Sequence, residues 1–114
     1  MTTDPSHIQS MSTTIAMAIE SGRIGRPVFV RWMERVDSDP GSALETALGV
    51  VSNWFGGEPA SSHQPDGSDL HSSMLARWPG GELALLIAAP VSFMAEPGLD
   101  LAVIGARGAL YHRV

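Results

Sequence analysis

The sequence predicts an α+β domain: a mostly antiparallel, open β-sheet with two helices on one face. Two segments carry apolar residues at helical spacing, and five shorter segments have the apolar character of strands. Turns rich in glycine and proline separate these segments. The chain has 114 residues, which suits a single domain over residues 1–114. The predicted order of elements is α-β-α-β-β-β-β.

The first helix is predicted near residues 6–20. Asp4 and Ser6 are candidate N-caps on either side of a proline, and Gly22 is typical of a left-handed helix end. Apolar side chains recur along this segment at helical spacing, and they are Ile8, Met11, Ile15 and Ile19.

The second helix is predicted to begin at Ser42, which forms a capping-box pattern with Glu45. It ends at the glycines Gly56 and Gly57. Its apolar side chains fall on one stripe, which contains Leu44, Ala47, Leu48, Val51, Trp54 and Phe55. This stripe predicts packing against a sheet.

The first strand is predicted from Pro27 to Val36. Alternation places Val30 and Trp32 on one face and Arg31 and Met33 on the other. Both faces therefore carry bulk. We expect helices to cover one face of the sheet and a ligand or a partner to cover the other.

The remaining strands form two predicted hairpins after a loop at residues 58–67. Segments 69–78 and 82–90 flank a Pro-Gly-Gly turn, and segments 99–104 and 109–114 flank a turn with two glycines.

Composition excludes several classes of function. The net charge is −5 and all seven basic residues are scattered arginines, which argues against nucleic acid. The absence of lysine excludes Schiff-base chemistry, and the absence of cysteine excludes thiolate chemistry. The longest apolar run, 83–91, is too short to span a bilayer. We expect a cytoplasmic protein without a membrane anchor.

Four segments occur in a recognisable order: SGRIGRPVFV at 21–30, WFGGEP at 54–59, WPGGELA at 78–84 and LAVIGARGAL at 101–110. Together they resemble the C-terminal domain of the Gfo/Idh/MocA oxidoreductases (glucose–fructose oxidoreductase, inositol dehydrogenase and relatives). The resemblance covers the chain from about residue 8 to its end and implies the open sheet described above.

The resemblance also implies what the chain lacks. Family members carry a nucleotide-binding Rossmann domain with an active-site lysine, and neither is found in this sequence. The histidine and aspartate of the family's middle helix fall on Ala47 and Val50. Gly105 and Gly108 lie between strands and lack the context of a dinucleotide site. The chain is therefore not expected to be an autonomous NAD(P)-dependent dehydrogenase or to hold a cofactor.

In the family, the open sheet face lines the substrate site or mediates subunit association. The resemblance thus implies a symmetric homodimer, sheet against sheet. The candidate ligand-binding residues are the strand residues Trp32, Trp78, Met74, Arg31 and Arg77. The tryptophans are equally consistent with a core role. The arginines are also consistent with salt bridges to Glu34, Glu82 or Asp100.

The candidate acid–base residues are His71, His112, Tyr111, Asp69 and Glu34. Histidines and aspartates at 63, 66, 69 and 71 also have metal-ligand chemistry. Since His63 and Asp66 fall in the predicted loop, a solvated polar loop is favoured over a metal site.

Three functions are consistent with these patterns. The first is non-redox binding of a small molecule in a pocket on the open face, at or near a dimer interface. The second is a cofactor-independent isomerase, cyclase or lyase in a biosynthetic pathway. The third is a scaffold subunit of a split oxidoreductase, docked on a Rossmann-domain partner.

Overall fold

A computed structural model describes residues 5–37, 39–64, 72–91 and 97–113, with side chains from Ile8 onward. A six-stranded sheet has the order β2-β3-β4-β1-β5-β6. Its elements are α1 (Pro5–Glu20), β1 (Pro27–Val36), α2 (Pro40–Phe55), β2 (Ser61–His63), β3 (Ser72–Arg77), β4 (Leu83–Pro90), β5 (Gly98–Gly105) and β6 (Ala109–Arg113). Within these residues β1 runs parallel to β4, and the other neighbouring strands are antiparallel. The predicted α+β fold is confirmed.

Strand β2 corrects the predicted order of elements, because it lies within the segment predicted as a loop. Ser61 pairs with Arg77 and His63 pairs with Leu75, which places β2 at the edge of the sheet. Its three residues are polar and exposed, so no apolar alternation marks them. The pairing with β3, rather than a local pattern, makes this segment a strand.

The start of α2 also differs from the prediction. Asp39, not Ser42, is the N-cap, and its carboxylate accepts a hydrogen bond from the backbone N–H of Ser42 at 3.2 Å. Pro40 occupies the start of the helix, where its missing N–H costs nothing and its fixed φ suits the first turn. The predicted end is confirmed, with Gly56 in the left-handed conformation at φ 85°.

The loop before β1 is held against the β5–β6 turn. The backbone N–H of Arg107 donates to the carbonyl of Ile24 at 2.7 Å, and that of Ala106 donates to the carbonyl of Arg26 at 2.9 Å. A Cβ on Gly105 would collide with the Ile24 carbonyl. The first and last of the four family-like segments thus contact each other directly.

Both helices pack on one face of the sheet, which we call the covered face. On it, the buried Trp32 lies 6.3 Å from Trp54 of α2, between ring centroids. The indole Nε1 of Trp54 donates to the Ser12 carbonyl of α1 at 3.3 Å. Further buried residues complete the core, among them Met11, Ile15, Leu44, Ala47, Val51, Leu86, Leu101 and Val103.

Neither described helix is long and apolar enough to cross a membrane.

Candidate functional site

The opposite side of the sheet, which we call the open face, is apolar at its centre. The strand register and the alternation of side chains place on it Leu75, Leu83, Leu85, Ile87, Phe29, Met33 and Ile104. Leu75, Met33 and Ile104 are 45%, 41% and 37% exposed. Contiguous apolar surface of this kind marks an interaction or ligand-binding surface.

The open face is also rich in arginine. Four of the seven arginines project from it, and they are Arg31, Arg35, Arg77 and Arg113. Among the described strand residues, Asp100 is the one acid on this face. The described strands therefore carry a positive surplus on this face, although the whole chain has a net charge of −5.

A cleft of about 410 Å³ lies on this face where β1, β5 and β6 meet, lined by Arg31, Asp100, Tyr111 and Arg113 and bordered by His112. Ala102 stands between Arg31 and Tyr111 in the strand register. Ala102 is only 4% exposed, so it lies beneath its neighbours and does not itself line the cleft.

Two guanidinium groups converge on one carboxylate in this cleft. Arg31 Nη2 lies 3.6 Å from Asp100 Oδ1, and Arg113 Nη2 lies 3.3 Å from Asp100 Oδ2. Both arginine side chains are well exposed, so each ion pair is worth no more than about 1 kcal/mol. Each guanidinium has five N–H donors, which leaves donors for a ligand.

The candidate ligand-binding residues are divided between the two faces. Arg31 and Arg77 lie on the open face, with β4 between their strands. Trp32 and Met74 lie buried on the covered face. Arg31 and Trp32 are consecutive, so they cannot line one surface of the sheet.

Trp78 is a packing residue of the β3–β4 turn. Its indole Nε1 donates to the Gly57 carbonyl at 2.7 Å, and its ring meets Phe55 edge-on at a centroid distance of 4.6 Å. The side chain is almost completely buried. These contacts join the second and third family-like segments.

The candidate acid–base residues are also divided. Glu34 lies on the covered face, 6% exposed, and accepts a 3.1 Å hydrogen bond from Trp32 Nε1. Burial raises the pKa of the Glu34 carboxyl, and the hydrogen bond from Trp32 offsets part of that effect. Tyr111 is exposed on the other face. His71 and Asp69 lie outside the described residues.

His112 lies on the covered face of β6, opposite Leu101 in the register. It borders a second cleft of about 200 Å³, formed with Met11 and Ile15 of α1. Glu34 is on β1, two strands away and one row further along the sheet. The described residues therefore do not bring His112, Tyr111 and Glu34 together.

The described residues also contain no group of three or more histidine, aspartate or glutamate side chains placed to hold a metal. His63 is exposed on the edge strand β2. Asp66, with Asp69 and His71, lies outside the described part of the chain.

The positions that the resemblance assigns to an acid–base pair hold Ala47 and Val50, which lie in or beside the core. Ala47 is fully buried on α2, and Val50 packs partly buried against the same cluster. These two side chains of α2 therefore pack against the core.

Sequence reasoning missed the contribution of Arg113 to the cleft. The signal is present in the second hairpin, since the pairing of Ile104 with Ala109 sets Asp100 opposite Arg113. From the sequence alone, Asp100 is a candidate partner for Arg31 and Arg77 but not for Arg113. Counting residue pairs outward from the hairpin turn identifies Asp100 and Arg113 as partners.

Known proteins match this chain in structure but not in sequence. No protein-family model matches the chain, and no curated protein matches it. Solved structures do match. A protein of Thermotoga maritima described as a "probable dehydrogenase" has a TM-score of 0.74 and 16% sequence identity, covering 90% of this chain and 38% of its own.

Two structures of scyllo-inositol dehydrogenase from Lactobacillus casei match as well. The apo enzyme has a TM-score of 0.69 and 12% identity, covering 90% of this chain and 36% of its own. The form with bound NAD(H) and scyllo-inositol has a TM-score of 0.64 and 17% identity, covering 90% and 38%. These matches confirm the resemblance at the level of the fold. The chain spans a little over a third of the length of these dehydrogenases.

Proposed function

We propose that this protein binds a small molecule without redox chemistry, in the open-face cleft and at or near the interface between two copies of the chain. The observation that carries the proposal is the cleft of about 410 Å³ between Arg31, Asp100, Tyr111 and Arg113. It combines polar anchors with an adjoining apolar surface, which is the usual make-up of a ligand site.

The fold and the helix positions support a binding role without hydride transfer. One structural neighbour is described with bound NAD(H) and scyllo-inositol, so proteins of this fold include small-molecule binders. In this chain, Ala47 and Val50 occupy the positions that the resemblance assigns to the acid–base pair, and Ala47 is buried. We therefore favour ligand binding over hydride transfer as the function of this domain.

A second copy of the chain is the proposed cover for the open face. Leu75 and Met33 stand exposed near the middle of the sheet, and a small domain gains stability when such surface is buried. A two-fold axis through the sheet would place two equivalent clefts beside the same interface.

The test is chemical-shift mapping by ¹H–¹⁵N NMR, with a set of small aromatic probes added to the full chain. We expect the largest shifts at Ala102, Tyr111 and Arg113. The variant Ala102→Leu adds bulk at a buried position between Arg31 and Tyr111, so it should displace these two side chains and weaken binding about tenfold or more. Shifts confined to α1 and α2, or binding unchanged in Ala102→Leu, would contradict the proposed site.

A second candidate, a cofactor-independent isomerase, cyclase or lyase, rests on the raised pKa of Glu34 alone, since this buried carboxyl borders neither of the two clefts described above. An acid–base catalyst works best with a pKa near the working pH, and burial moves the Glu34 pKa in that direction. The test is a ¹³C NMR titration of the Glu34 carboxyl. A pKa at or below the ordinary glutamate value would remove the reason for this candidate.

A further inference from the structure

We infer that the open-face cleft is selective for an apolar carboxylate, held by Arg31 and Arg113, and that Asp100 competes with the ligand for these two guanidinium groups. This inference rests on the proposed function, since it names the ligand class of the same cleft. It adds the charge of the ligand and a means of setting its affinity, because the carboxylate of Asp100 competes with the carboxylate of the ligand.

Two guanidinium groups converge on one carboxylate in the cleft. Arg31 comes from β1 and Arg113 from β6, on opposite sides of β5, and both reach the carboxylate of Asp100. Each contact uses one nitrogen at 3.3 or 3.6 Å, which is longer than the best charge-assisted hydrogen bonds. Both arginines can therefore move to a second carboxylate at little cost.

Charge is distributed unevenly between the open face and the rest of the chain. Arg31, Arg77 and Arg113 project from the described strands on the open face together with Asp100, so these strands keep a positive surplus there without Arg35 being counted. The chain as a whole has a net charge of −5. An anion is therefore attracted to this face in preference to the rest of the molecule.

Apolar side chains lie around the cleft. The exposed ring of Tyr111 forms one wall, and Met33 stands beside Asp100 in the register. Guanidinium planes also stack on aromatic groups. A ligand with a carboxylate at one end and an aromatic or alicyclic body at the other satisfies both parts of the surface.

The experiment is a calorimetric titration with 2-naphthoate and with its neutral counterpart 2-naphthalenemethanol, followed by NMR mapping on Ala102 and Tyr111. We expect naphthoate to bind at least about tenfold tighter than the alcohol, with an affinity that falls as salt is raised. Arg31→Gln and Arg113→Gln should each weaken naphthoate binding about fivefold. Asp100→Asn should strengthen naphthoate binding by about three- to tenfold, because the ligand no longer competes with a carboxylate for the two guanidinium groups.

The matched control is Arg26→Gln, which removes the same charge from an exposed residue of the loop before β1 and should leave the affinity unchanged. If the acid and the alcohol bind the cleft equally, or if Asp100→Asn weakens naphthoate binding, the inference is wrong while the proposed function stands. If neither compound shifts Ala102 and Tyr111, both fail. If Arg26→Gln weakens binding as much as Arg31→Gln, the effect is general charge and the inference is again wrong.

Discussion

The indole Nε1 of Trp32 donates a 3.1 Å hydrogen bond to Oε1 of Glu34, two residues further along β1 on the covered face of the sheet. Among the described residues, Glu34 is the buried charged group. Its carboxyl is held away from water, and its donor within the described part of the chain is the neutral indole of Trp32. We therefore expect the protonation of Glu34 to make the stability of the core depend on pH.

We expect Glu34→Gln to raise the melting temperature at pH 7. The folded-state pKa of Glu34 is raised by burial, so the folded protein binds the proton more tightly than the unfolded chain does. Stability from this group is full below the unfolded pKa of 4.5 and is lost as the pH rises through the folded pKa. The amide oxygen of the substituted side chain would keep an acceptor for Trp32 and remove this loss.

The measurement is thermal unfolding from pH 4 to pH 8, with the exposed Glu45→Gln as the control. The wild-type and Glu45→Gln curves should fall relative to Glu34→Gln as the pH rises. Parallel curves for all three proteins would show that Glu34 is not the titrating group.

A second prediction concerns Gly105. We expect Gly105→Ala to destabilise the fold by about 2 kcal/mol or more, because its Cβ would meet the backbone carbonyl of Ile24. Gly49→Ala is the matched control, since no atom lies within 4 Å of the added Cβ in α2, and it should stabilise by about 0.5–1 kcal/mol. Urea unfolding of the two variants measures both effects, and equal changes would refute the contact.

The N-cap of α2 gives a third prediction. We expect Asp39→Ala to cost about 1 kcal/mol, since it removes the acceptor for the Ser42 N–H. Ser42→Ala removes only a hydroxyl that contacts the same carboxylate at 3.0 Å, so it should cost less than half as much. Urea unfolding of both variants measures the two losses of stability. A larger loss for Ser42→Ala than for Asp39→Ala would indicate that Ser42 is the N-cap.

Much of the fold was accessible from the sequence because its signals are local. The first strand has the predicted bounds, Pro27–Val36, and the end of α2 at Gly56 follows from a left-handed glycine. Both hairpins formed where short glycine-containing turns separated apolar segments. By contrast, the parallel pairing of β1 with β4 and the edge strand β2 depend on contacts between distant segments, for which no local pattern exists.

The candidate site was only partly accessible for a related reason. Alternation correctly separated Arg31 from Trp32 on β1, but it does not say which face the helices cover. The candidate ligand residues were therefore drawn from both faces, and Trp32 and Met74 lie in the core. The cleft itself depends on the register of β5 with β6, which brings Arg113 to Asp100.

A fourth prediction concerns the apolar centre of the open face. We expect Met33→Glu and Leu75→Glu to disrupt association of two chains, because each puts a charge on an exposed apolar position. Met17→Glu is the matched control, since Met17 of α1 is 64% exposed away from the sheet. Circular dichroism should show that all three variants stay folded.

Size-exclusion chromatography with light scattering at micromolar concentration tests the central claim most directly, namely that the open face is a binding surface closed by a second copy. The wild type and Met17→Glu should elute with the mass of two chains, and Met33→Glu and Leu75→Glu with the mass of one. A wild-type protein with the mass of a single chain, or association that survives both open-face variants, would contradict the account.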